Sequence, residues 1–201
     1  MAKSDKRWLR RHVTDPYVRK AKQQGYRSRA AFKLLEIDSQ EKILKSGMTV
    51  VDLGAAPGGW SQVAAARVGP GGRVIAIDLA PIDPISGVTA LQGDFREEVL
   101  VDSLKGSKAD VVLSDLAPNL SGIANVDQAR LLELALGAIA FCRKTLTPDG
   151  VFVVKAFQGE AFAGLLACLK RNFRAVAVKK PQASRGESSE TYVVARGLRA
   201  L

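Results

Sequence analysis

The chain has only two cysteines in 201 residues, Cys142 and Cys168, far apart and without metal-ligand spacing. That excludes a disulfide scaffold and a cysteine-held metal centre, and predicts two reduced residues packed in a core. No apolar run reaches the roughly 18 residues needed to span a bilayer. The start, MAKSDKRWLRRH, is basic but lacks the apolar stretch of a secretory signal, so a soluble cytoplasmic protein is expected. Internal repeats and dividing linkers are lacking too. The dinucleotide fingerprint G-x-G-x-x-G is missing from the one glycine-rich turn, where Ala56 and Pro57 interrupt it.

What is present is unevenly placed. Residues 1–45 hold 13 Lys and Arg against 5 acidic residues, a net of +8. Residues 46–169 hold 9 against 13, a net of −4, and residues 170–201 hold 8 against 2, a net of +6. An evenly solubilised surface would not segregate charge in this way, and the expectation is that both ends form one surface for a polyanion, most naturally nucleic acid. Residues 1–26 read as a basic arm, with Trp8 and Tyr17 interleaved either to stack on bases or to dock the arm on the domain. Residues 27–201 read as one domain, a size that supports a single core.

Apolar strands alternate with helical segments from Met48 onward. Strands are predicted at Thr49–Leu53, Val74–Leu79, Ala90–Gln92, Ala109–Ser114, Val151–Phe157, Ala175–Val178 and Thr191–Ala195. Helices are predicted around 27–42, 59–68, 126–146 and 160–171, with Asn125 and Gln128 capping the third and a turn over Thr147–Gly150. Continuous apolar strands imply an α/β protein with a parallel sheet covered on both faces, and the last two strands suggest an antiparallel hairpin. Ligands of such sheets sit beyond the carboxyl ends of the strands.

The residues at those ends carry chemistry. Gly54, Ala55, Ala56, Gly58 and Gly59 let a ligand approach the backbone. Asp78, Asp94 and Asp115 end the second, third and fourth strands, where three carboxylates would repel a pyrophosphate and suit a cationic sulfonium cofactor. Lys155 stands inside an otherwise apolar strand, a costly place for an ammonium without a purpose. Lys33 and Glu190 read equally well as surface residues.

Six ordered strings carry a resemblance: SRAAFKLLEI (28–37), VVDLGAAPGGWSQ (50–62), LQGDFR (91–96), SDLAPNLSG (114–122), FVVKAFQGE (152–160) and SSETYVVA (188–195). Together they resemble the FtsJ-like family of RNA 2′-O-methyltransferases across nearly the whole chain. One departure is Ala31, where relatives often carry a large aromatic residue. The resemblance implies a Rossmann-like class I methyltransferase with a seven-stranded, mostly parallel sheet whose last strand is antiparallel. It implies a catalytic set of Lys33, Asp115, Lys155 and Glu190. It places S-adenosyl-L-methionine on Gly58, Trp60, Asp78, Asp94 and Asp115, beside Gly54 of the turn, with no metal.

The implied reaction is in-line methyl transfer to a ribose 2′-hydroxyl, on a uridine of large-subunit ribosomal RNA, by a monomer. Large-subunit particles are the expected partner. A transfer RNA or messenger RNA cap substrate, or a catalytically silent RNA-binding relative, remains open. A lysine base needs its proton affinity lowered from that of a free amine, which a neighbouring cation and burial both favour.

Overall fold

The computed structural model describes residues 15–104, 108–118, 121–122, 124–184 and 188–200. Its elements run α1 (Pro16–Gln23), α2 (Ala30–Glu41), β1 (Thr49–Leu53), α3 (Gly59–Val68), β2 (Arg73–Asp78), β3 (Val88–Gln92), α4 (Glu98–Ser103), β4 (Ala109–Ser114), α5 (Ala124–Thr145), β5 (Leu146–Phe157), α6 (Glu160–Asn172), β6 (Phe173–Lys179) and β7 (Glu190–Leu198). The seven strands form one sheet in the order β3-β2-β1-β4-β5-β7-β6. Strands β1 to β5 pair in parallel, and β7 enters antiparallel between β5 and β6. The reversal of strand direction that the sequence suggests is therefore present, and it carries Glu190 back to the edge where β4 and β5 end.

Alternation along the strands sorts the core into two layers. Val50, Val74, Val111, Leu113, Val151, Val153 and Tyr192 pack under α2 and α3, through Leu34, Ile37, Trp60 and Val63. Val51, Ile75, Val112, Phe152, Val154 and Val193 pack under α5 and α6. Cys142 is buried in the second layer and half-buried Cys168 packs against it, both as free thiols, as expected. Ala31 is fully buried in the first layer. Among the described residues no helix is long and apolar enough to cross a membrane.

The structure departs from the sequence reading at several ends. Helix α5 begins at Ala124, so Asn125 lies inside it and Gln128 is not its capping partner. Asp127 instead accepts from the Ser121 and Gly122 amides (2.7 and 3.0 Å) and from the Ser121 hydroxyl (2.7 Å), tying the preceding loop to the first turn. Gln128 Oε1 accepts from the Ala161 amide (3.3 Å) at the start of α6. Strand β5 runs through the expected turn at 147–150, with a shifted register opposite Ala109 and Val111. Helices α1 and α4 have no counterpart in the sequence reading. Helix α1 starts at Pro16 behind the N-cap Asp15, whose carboxylate accepts from the Tyr17 amide (3.0 Å) and pairs with Arg29. Tyr17 packs on Phe32, ring centroids 5.6 Å apart, so this ring is used for docking; Trp8 lies outside the described residues.

One buried polar side chain sits at the centre of the sheet. Asp52, near the end of β1, is fully buried; its Oδ2 accepts from the Ser61 hydroxyl (2.6 Å) and its Oδ1 has no partner among the described residues. Burial pushes its pKa up to about 7; the Ser61 bond opposes this, and the charges of Asp115 and Asp78 add to it. The folded state therefore keeps a proton that the unfolded chain has released above about pH 4. Stability should fall from about pH 4 to about pH 7 by up to roughly 4 kcal/mol from this group, and level off above. Asp52→Asn should flatten that part of the profile in urea unfolding measured across this range. A variant profile parallel to the wild type would show that Asp52 ionises freely.

Candidate active site

The glycine-rich turn follows β1 because its backbone must reverse in a crowded place. Gly54 has φ +71°, and a Cβ there would lie 2.5 Å from Leu116 Cδ2 in the loop after β4. Gly58 has φ +108°, caps α3, and faces Ile85 and Arg27. Arg27 pins the turn from outside, donating from Nη1 to the Pro57 and Asp83 carbonyls (3.1 and 2.7 Å) and from Nη2 to the Pro84 carbonyl (2.7 Å). Asp78, at the end of β2, holds it from inside: Oδ2 accepts from the Ala56 amide (2.9 Å) and Oδ1 from the Ala80 amide (2.8 Å).

Beyond these strand ends lies a crevice of about 760 Å³, within the range of small-molecule sites. Gly54, Asp78, Asp94 and Asp115 line it, so four of the expected cofactor residues meet there. Gly58 and Trp60 do not reach that lining. Trp60 is buried between α3 and the sheet, donates Nε1–H to the Ala30 carbonyl (2.8 Å), and packs 5.5 Å from the Tyr192 ring.

The lining carries four carboxylates, with Glu133 the fourth, against Arg96 and Arg130. Asp94 is gripped by Arg96 through Nε (2.9 and 3.0 Å) and Nη2 (2.6 Å). That grip holds its carboxyl below the usual range although burial opposes it. The surplus of negative charge fits a cationic adenosyl cofactor. Asp78 has lone pairs left for ribose hydroxyls after its two amide bonds. A pyrophosphate would find no such welcome.

The four chemistry-bearing side chains come together on the face covered by α2, as two ion pairs. Lys155 on β5 donates to the Asp115 carbonyl (2.7 Å) and lies 3.1 Å from Asp115 Oδ1. Lys33 on α2 reaches both Glu190 oxygens, at 2.7 and 2.9 Å. These side chains are between 8% and 18% exposed, so the pairs are nearly dry. Burial alone would raise the Glu190 carboxyl, but Lys33, the Ser184 hydroxyl (2.8 Å) and Lys155 outweigh it and hold it low.

Between the pairs stands Tyr192, which the sequence reading missed. It faces Lys155 across the β5–β7 ladder and is fully buried. Its hydroxyl donates to Asp115 Oδ1 (2.7 Å), and Lys33 Nζ lies 5.7 Å from its ring centroid. Burial, and then the charges of Asp115 and Glu190, push its pKa well up, so it stays a neutral donor. Its signal was available: in a strand, residue 192 shares the face of Glu190. Ser184 had no such signal. It is placed by Glu36 of α2, which accepts from the Gln182 and Ala183 amides (2.5 and 3.1 Å), and by Arg29 on the Ala183 carbonyl.

Gly54→Ala tests the turn. The positive φ costs a side chain on the order of 1–3 kcal/mol, and Leu116 must move in the crevice wall. The Tm should fall by about 3–8 °C in a thermal melt. An unchanged Tm would mean that the turn relaxes freely.

The comparisons with known proteins agree with this geometry. The family model described as FtsJ-like methyltransferase matches residues 26–198. The ribosomal RNA large subunit methyltransferase E of Azoarcus sp. is 50% identical over 201 residues, covering 98% of each chain. Among solved structures, one from Plasmodium falciparum named as a ribosomal RNA methyltransferase superposes with a TM-score of 0.77 at 32% identity, over 86% of this chain and 98% of that one. Aeropyrum pernix fibrillarin, solved with bound S-adenosyl-L-methionine, shares the fold with a TM-score of 0.62 at 18% identity, over 85% of this chain and 75% of that one. A glycine turn opening on an acidic crevice, whose lining residue Asp115 is paired with Lys155, is thus found in a chain that belongs to the FtsJ-like methyltransferase family.

Proposed function

We propose that this methyltransferase uses S-adenosyl-L-methionine to methylate a ribose 2′-hydroxyl, on a uridine of large-subunit ribosomal RNA. The observation that carries the reading is the pairing of Lys155 with Asp115 at the mouth of the acidic crevice. The 50% identical large-subunit methyltransferase, matched end to end, supports the substrate. On this reading the protein would work in the cytoplasm, as a monomer on the large subunit.

S-adenosyl-L-methionine supplies an electrophilic methyl carbon on a sulfonium. Asp78 would hold its ribose, the crevice wall at Asp94 its adenine, and Gly54 would let it lie close to the backbone. Asp115 serves both sides, lining the crevice while orienting Lys155.

Lys155 takes the proton of the ribose hydroxyl at Nζ as the oxygen attacks. It can do so only as a neutral amine. Its side chain is nearly buried and is held beside Asp115 (3.1 Å). Asp115 Oδ1 also accepts from the Tyr192 hydroxyl (2.7 Å), which fixes the carboxylate beside Lys155. Glu190 anchors Lys33 so that its charge stays fixed beside the site. The basic N-terminal segment 1–26 would contact RNA, with α1 as its docked foot.

Three variants test the assignments. Asp78→Ala should weaken S-adenosyl-L-methionine binding by about 1.5–3 kcal/mol in calorimetric titration, while RNA affinity changes little. An unchanged cofactor affinity would remove Asp78 from the site. Lys155→Ala should abolish single-turnover transfer to unmethylated ribosomal substrate with the protein saturated by cofactor. Lys155→Arg should fail as well, because a guanidinium stays protonated. Arginine activity within a few-fold of wild type would make Lys155 a positioning cation and overturn its role as base.

A further inference from the structure

We infer that the amino-terminal edge of the sheet, opposite the active site, carries a second contact surface for the phosphate backbone of the substrate RNA. This rests on the reading of the protein as an RNA methyltransferase. A concavity of about 730 Å³ on that edge is lined by Lys108, Arg143, Arg174 and Arg199, with no carboxylate side chain among the described residues of its lining. Lys108 immediately precedes β4, whereas Asp115 immediately follows it. Six strand residues at about 3.3 Å each separate the two by roughly 20 Å, too far for one phosphate cluster to serve both.

Among the described residues, three of these four cations are positioned without a carboxylate partner. Lys108 Nζ donates to the Lys144 carbonyl (2.8 Å), Arg143 Nη1 to Asn172 Oδ1 (3.0 Å) and Arg199 Nε to the Phe173 carbonyl (3.0 Å). All three acceptors are neutral. Arg174 meets a carboxylate, that of Asp149 (2.6 Å). Helix dipoles account for cations in a last turn, such as Arg143 and Lys144 of α5 or Lys170 and Arg171 of α6. They do not account for Lys108, Arg174 and Arg199, which sit at strand ends.

Gathering like charges around one hollow costs self-repulsion that an even distribution would avoid. A polyanion repays it. The kind of polyanion follows from exposure: Lys108, Arg174 and Arg199 are solvent-exposed and only Arg143 is half-buried. Exposed, screened cations hold a lone small anion poorly. A phosphate backbone engages several at once and gains by releasing its counterions. Lys144, Lys170 and Arg171 extend the same edge along the helix ends. The C-terminal basic block of the sequence is therefore divided, with Lys179 and Lys180 on the catalytic side and Arg174 and Arg199 on the far side.

The test compares wild type with Lys108→Glu/Arg199→Glu and with the milder Lys108→Gln/Arg199→Gln, each first shown to bind S-adenosyl-L-methionine normally. Binding is measured across a salt series to protein-free large-subunit ribosomal RNA and to a single-stranded oligonucleotide of about 12 nucleotides, short enough for one surface. For the long RNA, the glutamine pair should make the slope of log affinity against log salt shallower by about one to two, and the glutamate pair should weaken binding about ten-fold or more. The short oligonucleotide should be unaffected. Unchanged binding of the long RNA by both variants overturns the surface, and equal weakening for both RNAs reduces it to a diffuse field effect. Weakened binding to assembled subunits alone, with free RNA unaffected, would overturn RNA as the partner in favour of a ribosomal protein. Should wild type transfer no methyl group to RNA, the parent reading fails. Transfer by wild type with unaltered variants confines the failure to this surface.

Discussion

Four charged side chains are held nearly dry at one edge of a sheet, and the cost of that desolvation organises the neighbourhood. An isolated buried ion would be intolerable, so each lysine has a carboxylate: Lys155 with Asp115, Lys33 with Glu190. The pairs come from four elements that are distant in sequence. Strand β7 must run antiparallel for Glu190 to start where β5 ends, and α2 must lie across that face for Lys33 to meet it. Tyr192 closes the gap, its hydroxyl on Asp115 and its ring beneath Lys33. Glu36 and Arg29 then fix the loop that brings Ser184 to Glu190. Much of the ordering around β7 serves this one charged cluster.

The same edge has a second charge problem with a different solution. Asp78, Asp94 and Asp115 converge on the crevice, and fully buried Asp52 lies behind them. Asp94 is paired with Arg96, Asp78 is held by two backbone amides, and Asp52 keeps its proton to about pH 7. What remains is a mild negative field, suited to a sulfonium and hostile to a polyphosphate. Acidic crevice and basic flanks thus carry opposite charge, the one suited to a cationic cofactor and the other to a polyanion.

Sequence alone disclosed the sheet and its closing hairpin, because apolar runs of strand length alternate with helical periods and each is punctuated by glycine or aspartate. It also disclosed Lys155, an ammonium out of place in Val151–Phe157, and the aspartates at strand ends. Lys33 and Glu190 were legible only through the family resemblance, since a helix lysine and a loop glutamate look ordinary until the fold brings them together. Tyr192 was hidden by its type, an aromatic that fits any buried strand. Trp60 stood in a cofactor string, yet the structure spends its indole on Ala30 and the core. The two basic termini were expected to form one surface, but strand direction divides the C-terminal block between opposite edges of the sheet. No count of charges along a chain contains that information.

The central claim is that this site moves a methyl group onto a ribose oxygen. The direct measurement incubates the purified protein with isotopically methyl-labelled S-adenosyl-L-methionine and large subunits from cells lacking the enzyme, digests the RNA to nucleosides and identifies the labelled product by mass spectrometry. The account predicts label in a single 2′-O-methyluridine, with the methyl lost together with the sugar on fragmentation. Label retained on the base fragment, or transfer confined to transfer RNA, would contradict it.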